Sequence, residues 1–505
     1  MHPYSYTLGF FVALRIFMFA VFPGNYTDSD QCIMWQMAQD YANFEFHSPF
    51  FYGQAYNLGI EAFFAVPLIW LHVPVYYAVA ISTFVISTLP WIWMYKIGRD
   101  NWGPNLGLIP LLIGLSFPVA FWQQGLLVRG FVQGIFIVAL AIKIESKIWT
   151  FVLTFLGILI NPNAIFMLPI FLLKFDNWKV VNLKSSLVAL FVIALIFVGF
   201  QWLEHRYLPI SIHPNPRKSF GWDFLNENIN RVKFLWNQVV GFQGEYFFVG
   251  IFCMLILVGL LLKQEKSWLN PLLFVSVILI LGLMSLGMEK VNDGRDNVFY
   301  SYGRYFLAIP VAIGFVAAFS RPSRNMLRFV TNYPMVFNLA VCFLILIKGY
   351  LFWNDTKGEN FGTEKDSPVM VYHYHSLKME AKKIKQFCEA EKIKSVLYGY
   401  HFFRECGSIG FSYFEPKMPF STRIFFERRN WVKDSSSNFY KYNLVPQKVL
   451  LYDLYLDSND FKKHFPQSMQ INFGARSFVI PTGNQTLKQI VEEIKRIKAY
   501  PKPQV

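Results

Sequence analysis

The chain has 505 residues, of which 54% are hydrophobic and 19% aromatic, and its mean hydropathy is +0.33. Soluble domains seldom have this composition, and the repeated apolar runs of membrane-span length predict a polytopic integral membrane protein. The net charge of +15 would suit a nucleic-acid partner, but the Lys and Arg residues lie in short loops between apolar runs and in the tail. Membrane topology and anionic lipid account for that placement, so we expect membrane lipid and no nucleic acid as a partner.

The first predicted span, residues 5–22, contains Arg15. A guanidinium at that depth faces either the protein interior or a partner, or else extends its side chain to reach the headgroups. The sequence leaves these alternatives open.

The loop that follows, residues 23–75, is acidic and aromatic in an otherwise basic chain. It contains no Lys or Arg, and its carboxylates are Asp28, Asp30, Asp40, Glu45 and Glu61. We interpret this loop as the floor of an active site at the membrane surface.

Two helices are predicted inside this loop. Residues 30–44 place Ile33, Met37, Tyr41 and Phe44 on one helical face, which predicts an amphipathic helix lying along the membrane surface. Residues 58–71 are apolar but include Pro67 and fall short of the ~20 residues that a crossing needs. We therefore predict a second interfacial helix there.

The later apolar runs predict further spans. They lie at about 76–95, 105–122, 125–142, 185–203, 246–262, 268–287, 305–319 and 334–352. Residues 148–173 are interrupted by Asn161, Pro162 and Asn163 and have Lys at both flanks, which indicates two short helices or a re-entrant hairpin. The total is nine to eleven transmembrane helices.

The distribution of basic residues predicts the orientation. The loops richest in Lys and Arg are residues 96–104, 143–147, 174–184, 263–267 and 320–333. Because cytoplasmic loops carry this excess, the acidic first loop and the whole tail from residue 353 are predicted to be extracytoplasmic.

The tail, residues 353–505, has a different pattern from the rest of the chain. It predicts helices at 376–392 and 485–498 and strands at 395–400, 449–454 and 476–480. The predicted fold is thus a mainly α polytopic membrane domain, residues 1–352, followed by a small extracytoplasmic α/β domain. Cys388 and Cys406 both lie in the tail, and the sequence does not decide whether they pair.

The first loop carries a resemblance to a known family. The order Asp30-Gln31, then Phe51-Tyr52-Gly53-Gln54, Tyr56, Gly59 and Glu61, after a span with Arg15, resembles the first outer loop of bacterial GT-C membrane glycosyltransferases. Those are the enzymes related to the dolichyl-phosphate-mannose-protein mannosyltransferase and aminoarabinose transferase group. The residues Tyr95-Lys96-Ile97-Gly98-Arg99, the pair Arg304-Tyr305 and the α/β tail also resemble that group.

The resemblance implies a sugar donor carried on a polyprenyl phosphate, an acidic residue of the first loop at the reaction centre, and an extracytoplasmic acceptor. Many members have Asp-Glu where this chain has Asp30-Gln31, so a mechanism that needs two adjacent carboxylates does not transfer. The outer loops contain the carboxylates, cations and aromatic side chains that chemistry on a lipid-linked sugar needs. The alternatives from other classes are a transporter or flippase of lipid-linked saccharides and an extracytoplasmic binding protein carried by the tail.

Transfer from a phosphate-linked sugar needs a base for the acceptor and cations for the leaving phosphate. We assign the base to Asp30, with Asp28 assisting or sharing a divalent metal ion with it. The alternative is that Asp28 or Ser29 caps the following helix, and for Asp28 we favour the cap.

The donor phosphate requires cations at headgroup height. We assign it to Arg304, with Arg129 and Arg295 behind it, because Arg binds phosphate in a bidentate manner. An interfacial anchor is the alternative for Arg304.

Four further residues of the first loop are candidates to line the pocket, although structural packing explains each equally well. They are Tyr52, Gln54, Tyr56 and Glu61. His205, His213 and Glu245 are weaker candidates, and we expect His373 and His375 to be solvent-exposed.

Overall fold

The computed structural model describes residues 3–52, 57–117, 119–127, 131–174, 183–207, 221–226, 271–285, 307–357, 371–399, 409–423, 444–452, 458–473 and 475–497. The chain forms two compact units. One comprises Met1–Gly24, Ala80–Trp202 and Pro214–Met370, and the other comprises Asn25–Val79, Leu203–His213 and Val371–Val505. Nearly all of the acidic first loop therefore belongs to the same unit as the tail from Val371 onward, and residues 353–370 belong to the other unit.

Helices dominate the described residues before 358. They are Pro3–Val21 (α1), Ser29–Ala42 (α2), Ile60–Trp70 (α3), Val75–Trp102 (α4), Ile109–Ser116, Val119–Gln124, Phe131–Lys143, Lys147–Ile160, Ile170–Lys174, Leu183–Tyr207, Pro271–Ser285, Ala308–Phe319, Arg324–Asn332 and Pro334–Thr356. Within the described residues, three stretches are helical, long and apolar enough to cross a membrane: Val75–Trp102, Leu187–Arg206 and Pro334–Thr356.

One predicted span is interrupted. The sequence predicts a continuous helix over 105–122, but the helix Ile109–Ser116 ends before Phe117, which has an extended backbone with ψ 151°. Residue 118 is proline, which sterically disfavours the helical conformation of the residue before it. The prediction of a single helix was wrong here, because the chain restarts as Val119–Gln124.

The predicted interruption between residues 148 and 173 is confirmed. The helix Lys147–Ile160 ends at Asn161, whose side chain accepts a hydrogen bond from the backbone N–H of Asn163 at 3.2 Å. A short 3-10 segment, Pro162–Met167, and the helix Ile170–Lys174 follow.

Glycines allow two helices of the first unit to pack closely. A Cβ atom on Gly134 would lie 2.8 Å from the carbonyl oxygen of Gly157, and one on Gly157 would lie 2.7 Å from Val138 Cγ2. Small residues at such a contact are typical of helix pairs in membranes, where packing replaces the hydrophobic effect.

Arg15 faces the protein interior. Its side chain is 1% exposed, donates to Thr88 Oγ1 at 3.2 Å and to Ser87 Oγ at 2.9 Å, and lies over the ring of Trp122 at 5.0 Å. No carboxylate lies within 4.0 Å of it in the described part of the chain. The two hydroxyl groups and the face of the Trp122 ring therefore stabilise the charge of Arg15. The alternative, in which the Arg15 side chain extends towards the lipid headgroups, was wrong.

The second unit contains a short strand pair, Tyr26–Thr27 (β1) and Tyr372–His373 (β2), and a five-stranded sheet. The spatial order of that sheet is Phe420–Arg423, Ser395–Tyr398, Lys448–Tyr452, Ala475–Pro481 and Met469–Phe473. Its strands are Ser395–Tyr398 (β3), Phe420–Arg423 (β4), Lys448–Tyr452 (β5), Met469–Phe473 (β6) and Ala475–Pro481 (β7). β3 pairs in parallel with β4 and β5, and β7 pairs antiparallel with β5 and β6. Three strands thus lie where the sequence predicts them, at 395, 449 and 476.

Helices pack the sheet. They are Tyr374–Ala390, Phe411–Phe414, Ser458–His464 and Leu487–Arg496. A capping box between Thr486 and Gln489 starts the last of these, and its buried face joins Leu397, Leu451 and Phe478 in one apolar core. Cys388, at the end of the first of these helices, is a buried free thiol whose pKa burial raises to about 12. Cys406 lies outside the described residues.

Candidate functional site

The chain enters the first loop through a short strand, Tyr26–Thr27 (β1). β1 pairs antiparallel with Tyr372–His373 (β2), and the backbone N–H of Tyr374 donates to the carbonyl of Asn25 at 2.7 Å. The ring of His373 meets that of Tyr26 at a centroid distance of 4.9 Å. His373 is therefore half-buried rather than solvent-exposed as predicted, and residues close to the start of the tail hold the chain immediately before Asp28.

Asp28 is the N-cap of α2. Its Oδ1 accepts from the backbone N–H of Gln31 at 2.8 Å, and its own backbone is extended, as an N-cap requires. The interpretation that we favoured for Asp28 is therefore confirmed. A capping carboxylate satisfies one of the donors that the first turn of any helix leaves open.

Asp30 lies in the first turn of α2 and is buried. The positive end of the helix dipole at this turn stabilises a negative charge. The structure thus places the Asp30 carboxylate in the first turn of α2, and its role as the base stays a prediction.

α2 differs from the predicted amphipathic helix, because nearly all of its side chains are buried or half-buried. Trp35, at 0% exposure, makes edge contacts with Tyr374, Tyr413 and Phe414, and its ring lies 6.0 Å from that of Tyr76. Residues of the tail therefore cover the face that was predicted to be polar and exposed.

Phe44 does not belong to the apolar face to which it was assigned. α2 ends at Ala42, and Phe44 adopts a left-handed backbone with φ 61° and an 82% exposed side chain. Because the helix ends two residues before Phe44, helical spacing does not place Phe44 on the same face as Tyr41.

Asp40 is the centre of a polar network in the last turn of α2. Gln36 Nε2 donates to its Oδ1 at 2.6 Å, and the Tyr52 hydroxyl donates to its Oδ2 at 2.7 Å. The Tyr413 hydroxyl donates in turn to Gln36 Oε1 at 2.9 Å. Burial raises the pKa of the Asp40 carboxyl to about 6, while the hydrogen bonds from Tyr52 and Gln36 lower it.

His47 and Glu45 approach the same carboxylate. His47 Nε2 lies 3.9 Å from Asp40 Oδ2 and 3.7 Å from Glu45 Oε2. One ligand atom from each of the three residues lies within 4.8 Å of the others, so this group could hold a metal ion. From the sequence we expected Asp28 and Asp30 in that role and missed this group. Its signal in the sequence is two carboxylates and a histidine within eight consecutive residues.

The loop between α2 and α3 folds back on itself. Phe50 and Leu58 form an antiparallel bridge, the N–H of Phe51 donates to the carbonyl of Asn57 at 2.7 Å, and Tyr52 follows at once. A Cβ on Gly59 would lie 2.4 Å from Met37 Cε, so only glycine allows this approach to α2 without a shift of the Met37 side chain.

Only two of the residues predicted to line the pocket or bind the phosphate lie within the described residues, namely Tyr52 and Glu61. Tyr52 is buried against Asp40, and burial raises its pKa well above the usual value. Glu61 is fully buried in the first turn of α3. The others lie outside the described residues: Gln54, Tyr56, Arg129, Arg295, Arg304, His213 and Glu245. His205 is exposed on the helix Leu183–Tyr207.

The fold agrees with two solved structures of the protein ArnT. A crystal structure of ArnT from Cupriavidus metallidurans bound to undecaprenyl phosphate superposes with a TM-score of 0.56, covering 95% of this chain and 98% of that one at 10% identity. The apo structure of the same protein gives 0.54 with the same coverage at 11% identity. No protein-family model and no curated protein sequence matches the chain.

The chain thus has the fold of the GT-C aminoarabinose transferase ArnT, and the predicted resemblance to that group is confirmed at the level of the fold. At 10% identity the likeness extends to architecture and not to individual site residues.

Proposed function

We propose that this protein is an integral membrane glycosyltransferase that moves a sugar from a polyprenyl-phosphate-linked donor to an extracytoplasmic acceptor. The observation that carries the proposal is the fold shared with ArnT over 95% of the chain, since one of those crystal structures holds undecaprenyl phosphate. A first loop rich in buried carboxylates and aromatic side chains supports it.

The proposal includes a location. We place the protein in the bacterial inner membrane with nine to eleven crossings. The first loop and a C-terminal α/β domain, residues 353–505, are extracytoplasmic. The excess of Lys and Arg in the opposite loops supports this orientation.

The chemistry requires one base and one cation. Asp30 accepts the proton of the acceptor hydroxyl, whose oxygen attacks the anomeric carbon of the donor sugar while the bond from that carbon to the phosphate oxygen breaks. The polyprenyl phosphate leaves as an anion, and Arg304, assisted by Arg129 and Arg295, stabilises it. Because the acceptor oxygen attacks from the side opposite the leaving group, the configuration at the anomeric carbon is inverted.

The other candidate residues also have roles in this proposal. Gln54, Tyr56 and Glu61 line the sugar pocket together with Tyr52. Asp28 retains its cap and is the second candidate ligand, with Asp30, for a divalent cation in the chemical step. Transfer that persists in EDTA would exclude the cation from that step.

The test is a transfer assay on membranes that contain the full chain and radiolabelled polyprenyl-phosphate-linked sugars. We expect label to reach an acceptor fraction, and Asp30→Asn to lower the rate about 100-fold or more. Asp460→Asn, at a partly exposed position of the helix Ser458–His464, is the control and should retain full activity.

Two results would contradict the proposal at different levels. Full activity of Asp30→Asn removes the base, whereas absence of transfer from every polyprenyl-phosphate donor rejects the function. Arg304→Lys should raise the apparent donor KM, because a point charge replaces a bidentate contact, and an unchanged KM would leave Arg304 as an interfacial anchor.

A further inference from the structure

We propose that Asp40, Glu45 and His47 form a binding site for a divalent transition-metal ion of the zinc type, separate from the Asp28 and Asp30 pair. This inference does not rest on the proposed glycosyl transfer. It assigns a cation to three residues that the sequence analysis left without a role.

The distances suit such an ion. The His47 nitrogen lies 3.9 Å from an Asp40 oxygen and 3.7 Å from a Glu45 oxygen. Zinc bonds of about 2.0–2.2 Å to nitrogen and oxygen place neighbouring tetrahedral ligands roughly 3.3–3.5 Å apart. Rotation of the partly exposed Glu45 and His47 side chains that moves their ligand atoms by a few tenths of an ångström brings these two contacts to that separation. All three ligand atoms already lie within 4.8 Å of one another.

The backbone delivers the three ligands to one place. α2 ends at Ala42, the chain reverses at Phe44 with φ 61°, and the N–H of Glu45 donates to the carbonyl of Asp40 at 2.8 Å. This turn returns Glu45 and His47 over the last turn of α2. All three ligands therefore come from eight consecutive residues, so binding closes only a short loop and costs little entropy.

The neighbours of Asp40 orient its carboxylate. Gln36 and Tyr52 each donate to one of its oxygens, and Tyr413 orients Gln36. Carboxylates that bind metals are usually hydrogen-bonded in this way, and such partners fix the position of the ligand and tune its affinity. Asp40 itself is 4% exposed, so it is the ligand that the surrounding side chains hold in a fixed position.

The donor set selects the class of ion. One imidazole and two carboxylates suit zinc and its first-row neighbours, whereas magnesium and calcium prefer sites built from oxygen alone. Three protein ligands leave a position for water on the side of the exposed Glu45. The ion would fix the segment from Phe44 to Tyr52 against α2.

The experiment uses the full-length protein in detergent after removal of metal with EDTA and dialysis. We measure the thermal denaturation midpoint against added Zn²⁺, Mn²⁺, Mg²⁺ and Ca²⁺, and the bound metal by atomic absorption. We expect a saturable rise with Zn²⁺ at about one ion per chain and none with Mg²⁺ or Ca²⁺.

Variants assign the site. Glu45→Gln replaces an exposed side chain without loss of volume, so it should fold normally and weaken Zn²⁺ binding about 100-fold, as should His47→Ala. Tyr52→Phe, which removes a hydrogen bond to Asp40, should weaken it about 10–100-fold. His205→Ala, an exposed histidine elsewhere, is the control and should bind as the unmodified protein does.

Two results would overturn the assignment. One is the absence of a saturable response to Zn²⁺, and the other is a response that Glu45→Gln and His47→Ala leave unchanged, since the ion would then lie elsewhere. The sugar-transfer assay is independent, because Asp30→Asn should bind Zn²⁺ normally whether or not transfer is lost.

Discussion

The two helices of the first loop show opposite relations between composition and burial. α2 contains Asp30, Gln31, Gln36 and Asp40, yet nearly all of its side chains are covered. α3 is strongly apolar, yet Phe63 is 67% exposed, and Phe64 and Trp70 are exposed as well. Composition alone would have assigned the surface to α2 and the interior to α3.

The reversal has a physical cause. Tyr374, Tyr413, Phe414 and Gly410 pack on α2, so its polar side chains must find partners inside the unit. Buried polar groups that are held by specific partners are where acid-base and metal chemistry is found. The exposed apolar face of α3 is instead typical of a helix that lies in a membrane interface, as the sequence predicts for it.

Replacement of Trp35 should have the largest effect on stability. Trp35→Ala removes a fully buried ring from between α2 and the tail residues and should cost about 3–5 kcal/mol. Phe63→Ala on the exposed face of α3 is the control and should change stability by no more than about 0.5 kcal/mol. Thermal denaturation in detergent compares the stability of the two variants. Equal losses of stability would contradict the claim that α2 is buried and this face of α3 is exposed.

A smaller effect is expected at Gly410, which contacts α2 from the tail. A Cβ there would lie 2.9 Å from Cys32 Sγ and 3.3 Å from the Trp35 ring. Gly410→Ala should therefore cost about 1–3 kcal/mol by overpacking.

Gly199→Ala provides the matched control for Gly410. Gly199 has open space around it, and its helix should gain about 0.5–1 kcal/mol from the substitution. If Gly410→Ala proved as stable as the unmodified protein in the same denaturation experiment, residues 409–414 would not be seated on α2.

The smallest effect concerns the start of α2. Asp28→Ala removes the N-cap and should cost about 0.5–2 kcal/mol, while Asp28→Ser retains a capping oxygen and should recover most of that loss. Denaturation of both variants, combined with the transfer assay, separates the two roles of Asp28. A Ser variant that is stable but inactive would show that the carboxylate itself is needed.

Local rules predicted the parts of the structure that depend on neighbouring residues. Asp28 at the start of the predicted helix gave the cap of α2, Asn161-Pro162-Asn163 gave a helix break, and short runs of apolar residues gave the strands at 395, 449 and 476. These features depend on hydrogen bonds and sterics within a few residues, which a sequence displays directly.

The fold resemblance, too, was visible in the sequence, through the first loop and the order of apolar runs, and the likeness to ArnT over 95% of the chain confirms it. The sequence could not supply partners that are distant along the chain. Tyr413 reaches Gln36 over 377 residues, and β1 pairs with β2 across a similar separation.

Such distant contacts decided which side of α2 is buried, and contacts with Ser87 and Thr88 decided that Arg15 faces inward. The Asp40 carboxylate is oriented by Tyr52 and by Gln36, which Tyr413 contacts in turn. A helical period shows which side chains share a face. Only the packed chain determines what covers that face, because burial depends on every element that comes into contact with it.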